Sequence, residues 1–419
     1  MKDNVLEIRL WDETVGFLSW DERRSTSIFQ FDKDFARHNW NVAPLLAPLD
    51  SSYVQNGFPL LGNKEKLYCG LPEFIADSLP DYWGNVVFQK WMESNKLQDK
   101  QITAVDRLAF MGKRAMGALE FYPAHVEADA SVNVELSSLY ELADKIFNDR
   151  QNVTLDIKNS LVMEDMYKVG TSAGGQRPKA IIAIDKSTGI VRSGQAELPA
   201  SFTQYILKFD MAKPAELPMT KIEMACYLMA KDAGIQMMPS KLIEINGKHH
   251  FLTERFDRVE GRKMHTQTLA AMSSLADSYE DLFVVGRRIG LTAEEQVQQY
   301  RRMVFNVLMG NVDDHSKNFS FLMTQDGKWH LSPAYDMLFS ADLDTSFFRN
   351  HELTINGKRK GFSKKDLMDF ANKQDIRNAS NIIDDISIVV ASFGKYADAV
   401  GIDSLWSRKI ENVLHELEL

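Results

Sequence analysis

The side chains best suited to chemistry lie in one stretch, Met303 to Phe339, MVFNVLMGNVDDHSKNFSFLMTQDGKWHLSPAYDMLF. It carries two carboxylates, Asp313 and Asp336, and one amide, Asn318. Oxygen donors of this kind suit a hard cation such as magnesium, which takes one or two protein carboxylates and leaves its other positions to phosphate and water. Taken singly, Asp313 and Asp314 read as turn caps and Asn318 as the start of a strand. The ordered trio around one hairpin is harder to explain that way. A rival transition-metal site built from Asp313, His315 and His330 has no H-x-x-x-H or C-x-x-C spacing behind it.

The elements that must position these groups are legible around them. MVFNVLMG reads as a buried helix end, with Val304, Phe305, Leu308 and Met309 at helical spacing. Gly310 lets the chain leave the helix. Phe319 to Leu322 and Lys328 to Leu331 are short strand-like runs, and Asp326-Gly327 between them signals a hairpin. The fold-back brings Asn318 toward Ser332 to Asp336, with Asp313 on the loop before. The five-position interval from Asp313 to Asn318 is that of kinase catalytic loops, where the Asp receives the proton of the acceptor hydroxyl and the Asn holds a metal. Asp336 falls where the second magnesium-binding Asp of such a site belongs.

Upstream lies VGTSAGGQRPKAIIAI, Val169 to Ile184. Gly170, Gly174 and Gly175 make a small-residue loop able to approach phosphate, and AIIAI is a buried strand. The loop is neither a Walker A nor a G-x-G-x-x-G pattern, and a plain turn explains it equally well. YILKF, Tyr205 to Phe209, places Lys208 on a strand. TKIEMACYLMAKDAG follows as a helix with Thr220 as the expected N-cap, Glu223 near its start and Gly234 at its end. A strand Lys paired with a Glu of the next helix is how kinases hold the α and β phosphates. KLIEI and HHFLTERF form a hairpin through Asn246-Gly247. Glycine loop, strand, Lys strand, Glu helix and hairpin are the parts of a kinase N-lobe in order.

Residues 1 to about 130 read as a separate small α+β unit. VLEIRL, the run from Val15 to Trp20 and SIFQF suggest an antiparallel meander, and helices follow from Glu73, broken at Pro80. Nothing in this unit carries evident chemistry. SSLYELADKIFND is a helix with Ser137 or Ser138 as N-cap. Residues 265–310 read as helical, with Thr292 and Glu295 forming a capping box, and Ser363 with Asp366 caps another helix. A last helix near 404–418 carries a core stripe that includes Trp406, Ile410, Val413, Leu414 and Leu417. The expected class is α+β: a bilobal eukaryotic-like protein kinase fold, with a mixed β-sheet N-lobe over 131–258, a helical C-lobe over 259–419, and an added N-terminal α+β subdomain over 1–130.

The composition fits a globular chain of 419 residues, 44% hydrophobic and 26% charged. A net charge of −9 offers little to nucleic-acid binding by counterion release, so DNA contact is expected to come through a partner. Cys69 and Cys226 imply no disulfide framework. No signal peptide and no apolar run of spanning length are evident, so the expected location is cytoplasmic, without membrane contact.

GNVDDHSKNFS (Gly310 to Ser320), SPAYDM (Ser332 to Met337), TERFDR (Thr253 to Arg258) and SAGGQRPK (Ser172 to Lys179) together resemble the HipA family, the kinase toxins of bacterial toxin–antitoxin pairs. VGFL and DRLAFMGKRAMGALEFYP extend the resemblance into the N-terminal unit. It implies an ATP- and magnesium-dependent serine/threonine protein kinase. Asp313 would be the base, Asn318 and Asp336 the Mg2+ ligands, and Lys208, oriented by Glu223, the phosphate contact. The resemblance places Glu254 and Phe256 at the adenine hinge and Asp257 at the ribose. The segment Gly174, Gly175, Gln176 to Lys179 would cover the phosphates, and Ser172 would be the autophosphorylated serine that shuts the enzyme off. Arg255, His315, Lys317 and Tyr335 complete the implied nucleotide site. Gln176-Arg177-Pro178 departs from the family's usual loop ending. Asp314 stands where some members have Gly; it either raises the pKa of the base by like-charge repulsion or caps the loop. The partners the resemblance implies are a HipB-like helix-turn-helix antitoxin and a protein substrate of the translation-related kind. Two other classes stay open: a small-molecule kinase of the aminoglycoside or choline kinase type, which shares D-x-x-x-x-N, and a catalytically silent antitoxin-binding pseudokinase.

Overall fold

Alternating apolar positions build the first sheet. β1 (Val5–Leu10), β2 (Glu13–Asp21), β3 (Thr26–Phe31), β4 (Leu60–Leu61) and β5 (Leu119–Tyr122) are arranged β4-β3-β2-β1-β5, all antiparallel. In β1 Leu6, Ile8 and Leu10 face inward while Val5, Glu7 and Arg9 do not, as the period of two requires. The computed structural model describes residues 5–80, 82–94, 102–125, 133–148, 177–213, 215–343 and 350–418. The Pro80 break expected in the first helical region lies between α1 (Glu73–Ala76) and α2 (Tyr82–Ser94). α3 (Ala104–Met111) starts at a capping box between Thr103 and Asp106.

The second sheet has the order β7-β6-β8-β10-β9. β6 (Lys179–Asp185) and β8 (Phe202–Lys208) pair so that Lys179 stands opposite Lys208. β7 (Val191–Ser193) borders β6, and β9 (Ser240–Ile245) with β10 (Lys248–Glu254) forms the expected hairpin. Its turn residues Asn246 and Gly247 have φ of 51° and 73°, the two left-handed positions of a type I′ turn. α4 (Leu136–Asn148) covers one side of this sheet. Its first turn is held by Glu135, whose carboxylate accepts from the amides of Ser137 (3.1 Å) and Ser138 (2.6 Å), so the expected serine cap is replaced by a glutamate one residue before the helix. α5 (Met219–Asp232) begins two residues earlier than an N-cap at Thr220 would place it. Thr220 lies inside it and donates its hydroxyl to the His249 carbonyl (2.7 Å), tying the helix to β10 instead of capping it. Gly234 ends α5 at φ 73°, as read from the sequence.

A two-stranded ribbon, β11 (Arg258–Val259) with β12 (Arg262–Lys263), leads to a three-stranded sheet of β13 (His265–Thr268), β14 (Ser320–Met323) and β15 (Trp329–Leu331). The reading of 265–310 as wholly helical therefore fails at its start. HTQT is a strand because β14 offers it a free edge, a long-range partner that local periodicity does not contain. Helices α6 (Leu269–Met272), α7 (Tyr279–Arg288) and α8 (Ala293–Leu308) follow. The capping box of Thr292 with Glu295 opens α8. α9 (Lys364–Lys373), α10 (Ala379–Ala391), α11 (Phe393–Ala399) and α12 (Ser404–Glu416) complete the helical half. Ser363 and Asp366 cap α9, and Ile410, Val413 and Leu414 are buried core, both as expected.

Two apolar cores cross the boundary expected near residue 130. One runs from Phe29 and Phe121 of the first sheet to Phe305 of α8 and Phe370 of α9. The other joins Trp83 and Val87 of α2 to Ala143 of α4 and to Ala180, Leu207 and Leu252 of the second sheet. The N-terminal unit also grips the β14–β15 hairpin. Trp40 Nε1–H donates to the Gln325 carbonyl (2.8 Å) and Trp329 Nε1–H to the Asn41 carbonyl (3.2 Å). Gly327, at φ 82°, lies so close to Asn39 that a Cβ there would stand 1.9 Å from its carbonyl oxygen. The hairpin flanked by Asn318 and Asp336 is thus held from both sides.

Candidate active site

Lys208 ends β8, and α5 packs over β10 so that Glu223 reaches it. The ammonium meets Glu223 Oε1 at 2.6 Å and, across the cleft between the halves, the carboxylate of Asp336. Burial alone would lower the pKa of Lys208; the carboxylates of Asp336 and Glu223 overcome this and raise it. Burial likewise pushes Asp336 up, and the Lys208 charge more than reverses it, holding Asp336 ionised. For Glu223 burial prevails over Lys208 and its pKa is raised.

The catalytic-loop candidate leaves α8 at Gly310, whose φ of 64° needs no Cβ and where a Cβ would press on Leu417 Cδ1 at 3.0 Å. Asp313 is exposed, its side chain 70% accessible, at the cleft mouth. Its amide donates to Ser340 Oγ (3.2 Å). Desolvation by the surrounding loop raises its pKa; His315, 4.0 Å away, opposes this, and the carboxylates of Asp336, Glu352 and Asp314 add to it. Asn318 closes a single 3-10 turn, Ser316–Asn318, and its Nδ2 donates to the Asp313 carbonyl (2.8 Å). That bond occupies the amide nitrogen and leaves Oδ1 as the acceptor able to hold a cation. Asp336 adopts φ 50°, a left-handed backbone that Asp tolerates better than most residues. Tyr335 donates to the Lys317 carbonyl (2.7 Å) and meets Ser320 Oγ (2.5 Å), pinning the segment before Asp336 to the loop before β14. Phe256 lies over Tyr335 with ring centroids 5.7 Å apart. Asp313, Asn318, Asp336, Lys208 and Glu223 thus converge, with Phe256, Tyr335, His315 and Lys317 around them. Lys179, buried on β6, adds its charge near Asp336. Ser172, Gly174, Gly175 and Gln176 lie outside the described residues.

Two expected nucleotide contacts are placed elsewhere. Asp257 and Arg255 are buried, at 0% and 2% exposure. Asp257 accepts from Arg255 Nε (2.8 Å) and Nη2 (2.7 Å), Arg258 Nη1 (2.7 Å) and the Gly117 amide (2.8 Å). Its carboxylate is used up in a knot between the hinge and the N-terminal unit, so it is not offered to a ribose, and the Arg255 guanidinium is not offered to phosphate. The type of residue at this position is visible in TERFDR; its direction depends on Gly117, which is 140 residues away. Glu254 stays at the cleft side, within 3.4 Å of the Tyr205 hydroxyl. The rival metal set is separated: His330 turns to Glu295 (3.3 Å), and among the described residues no group of three or more His, Cys, Asp or Glu could hold a metal.

Asp314 is fully buried. It accepts from the Tyr279 hydroxyl (2.7 Å), His351 Nδ1 (2.8 Å) and the Glu352 amide (2.8 Å). It caps nothing in its own loop; it anchors that loop to α7 and to the segment after residue 349. Tyr279, Asn306, Asn311, Ser340 and His351 were not singled out by sequence reasoning. A signal was present in Asn306, an amide within the otherwise apolar run MVFNVLMG.

Against known proteins, the HipA-like C-terminal domain family matches residues 171–393 and the HipA N-terminal domain family matches residues 6–122. The chain belongs to the HipA family of kinases. It is 22% identical over 387 residues to the serine/threonine-protein kinase toxin HipA of Shewanella oneidensis, 85% of this chain and 79% of that one. It is 27% identical over 183 residues to Y4mE of Sinorhizobium fredii, a protein assigned as a kinase, spanning 40% of this chain and 41% of Y4mE. In fold it is similar to HipA in the S. oneidensis complex of HipA, HipB and operator DNA, with a TM-score of 0.65, 17% identity, and coverage of 98% of this chain and 95% of that one. The α+β kinase-like fold expected from the sequence is the one observed, with the HipA-type N-terminal unit set against both halves.

Proposed function

We propose that this HipA-family protein transfers the γ-phosphoryl group of ATP to a serine or threonine hydroxyl of another protein, with magnesium, and acts as the toxin of a toxin–antitoxin pair. The observation that carries the reading is the convergence of Lys208, Glu223 and Asp336 from three separate elements opposite the Asp313–Asn318 loop. Asn318 Oδ1 and the ionised Asp336 carboxylate are hard oxygen donors and fit magnesium. When bound, the ion would offset the charge of the phosphates during transfer.

The residues divide the work. Lys208 orients the phosphates, held in place by Glu223. Asp313, on the exposed loop, takes the proton of the acceptor hydroxyl as its oxygen bonds to the γ-phosphorus and ADP departs. Phe256 and Tyr335 form an aromatic edge for the adenine side of the cleft, beside the Glu254 backbone. Positioning and charge compensation supply most of the rate in such a site. Ser172 is the proposed self-phosphorylation site. The antitoxin assignment is supported by the family and by the assembly of the S. oneidensis relative with HipB and operator DNA. The acidic net charge of −9 agrees with DNA contact through that partner rather than through this chain.

The test is γ-labelled ATP with magnesium and cell lysate, comparing the wild type with Asp313→Ala. Labelling by the wild type and none by the variant, with ATP-induced thermal stabilisation kept in both, is the expected result. Equal labelling by the variant refutes the role of Asp313. Label on small molecules alone moves the protein to the small-molecule kinases, and no label with either marks a silent binding module.

A further inference from the structure

Beneath the site runs a closed hydrogen-bonded circuit that no assigned role uses. Asp314 accepts from Tyr279 Oη–H at 2.7 Å. The same hydroxyl accepts from Asn306 Nδ2 at 3.0 Å. Asn306 Oδ1 accepts from Asn311 Nδ2 at 3.0 Å, and that nitrogen also donates to the Asp336 carbonyl at 3.2 Å. Ser340 Oγ–H donates to Asn311 Oδ1 at 3.2 Å, while Ser340 Oγ accepts from the amides of Val312 (2.9 Å) and Asp313 (3.2 Å). Asn306, Asn311, Asp314 and Tyr279 are all at or below 3% exposure, so the links from Asp314 through Tyr279 and Asn306 to Asn311 are shielded from bulk water. On its other side Asp314 holds His351 Nδ1 and the Glu352 amide, both at 2.8 Å.

We propose that Tyr279, Asn306, Asn311 and Asp314 are positioning residues that lock the loop carrying Asp313 to the backbone of Asp336 and to the segment at His351. The proposal rests on the kinase reading of the same site. Its physical basis is that Asn311 touches both sides of the cleft floor. Its amide nitrogen fixes the Asp336 carbonyl, at a residue whose φ of 50° is not its lowest-energy choice. Its amide oxygen fixes Ser340 and, through it, the Asp313 amide. Tyr279 transmits the position of Asp314 into Asn306, which sets the rotamer of Asn311. A buried polar network of this kind is rigid only when every member is satisfied. Loss of one hydroxyl leaves the fold intact and lets Asp313 drift from Asp336, and a displacement of about 1 Å at a reacting group is enough to lower a rate about a hundredfold.

The test uses the full chain with Tyr279→Phe, which keeps the ring in its edge contact with Phe319 at 5.6 Å, and Asn311→Ser, alone and combined. Initial rates of labelling from γ-labelled ATP in lysate are measured over ATP and magnesium concentrations. Amide hydrogen exchange over 311–314 and 336–340 is followed in parallel. The expected result is a 10- to 100-fold lower kcat for Tyr279→Phe with ATP KM changed less than threefold. Faster exchange confined to those two segments and a double variant no worse than the more affected single one complete the pattern. A merely structural tyrosine would instead lower Tm and leave kcat per folded molecule unchanged. Unchanged exchange in both segments, or additive losses in the double variant, overturns the circuit. Wild-type protein that labels nothing while Tyr279→Phe still loosens both segments defeats the kinase reading and leaves the circuit standing.

Discussion

Replacing Asp257 with Asn tests how the N-terminal unit is joined to the nucleotide cleft. The wild-type carboxylate is fully buried and takes four donors: two from Arg255, one from Arg258 and the Gly117 amide, at 2.7 to 2.8 Å. Arg258 also bonds the Gly117 and Ala115 carbonyls at 2.9 and 3.1 Å, so the knot spans hinge and N-terminal unit. Asn keeps the shape but removes the charge and turns one acceptor into a donor facing a guanidinium. Breaking a buried ion pair from one side costs about 3–5 kcal/mol, because the remaining charges stay desolvated. Two arginines left without their carboxylate place Asp257→Asn at the upper part of that range. The pH dependence has a definite sign. Burial would raise Asp257, but Arg255 and Arg258 hold its pKa well below the usual carboxylate range. A folded-state pKa below the unfolded value of about 3.9 contributes stability above that pH and loses it as pH falls further. Urea unfolding at pH 7 and at a series of lower values down to about 3 is the assay. The gap between wild type and variant should be full at pH 7 and narrow below pH 4. A gap under 1 kcal/mol at pH 7, or one that does not narrow in acid, refutes the reasoning.

Other substitutions read other parts of the site. Lys208→Met should lower kcat/KM for ATP more than a hundredfold in the lysate-labelling assay. It should also raise the magnesium requirement, since Asp336 loses the charge that keeps it ionised. The pH–rate profile of the wild type should rise with pH through a midpoint above the ordinary Asp range of about 4, because Asp313 is raised and works as a base only when deprotonated. A flat profile between pH 4 and 7 contradicts that role. Gly327→Ala forces a side chain into a φ of 82° and toward Asn39, so it should cost at least about 1–2 kcal/mol and increase protease cleavage near Trp40. Thr292→Ala removes the cap of α8 and should cost about 1 kcal/mol in thermal unfolding while leaving ATP KM unchanged.

The sequence alone determined the features that depend on neighbours in the chain. The capping boxes at Thr292 and Ser363, the glycine exits at Gly234 and Gly310, and the Asn246-Gly247 and Asp326-Gly327 turns are local backbone chemistry, and all stand where expected. The kinase order of parts followed from the same local signals, because Lys208 with Glu223 and Asp313 with Asn318 are pairs set by one strand-to-helix step and one loop. Tertiary structure decided what each side chain faces. The D-x-x-x-x-N interval marks Asp313, but nothing in the local sequence of the loop carboxylates Asp257 and Asp314 says what they face. Asp257 is claimed by Gly117, Asp314 by Tyr279 and His351, and Asp313 is left exposed. The same holds for β13, a strand only because β14 is beside it, and for Thr220, which serves β10 instead of its own helix. A carboxylate's role is fixed by burial and by donors brought from distant parts of the chain, and neither is a property of its neighbours in sequence.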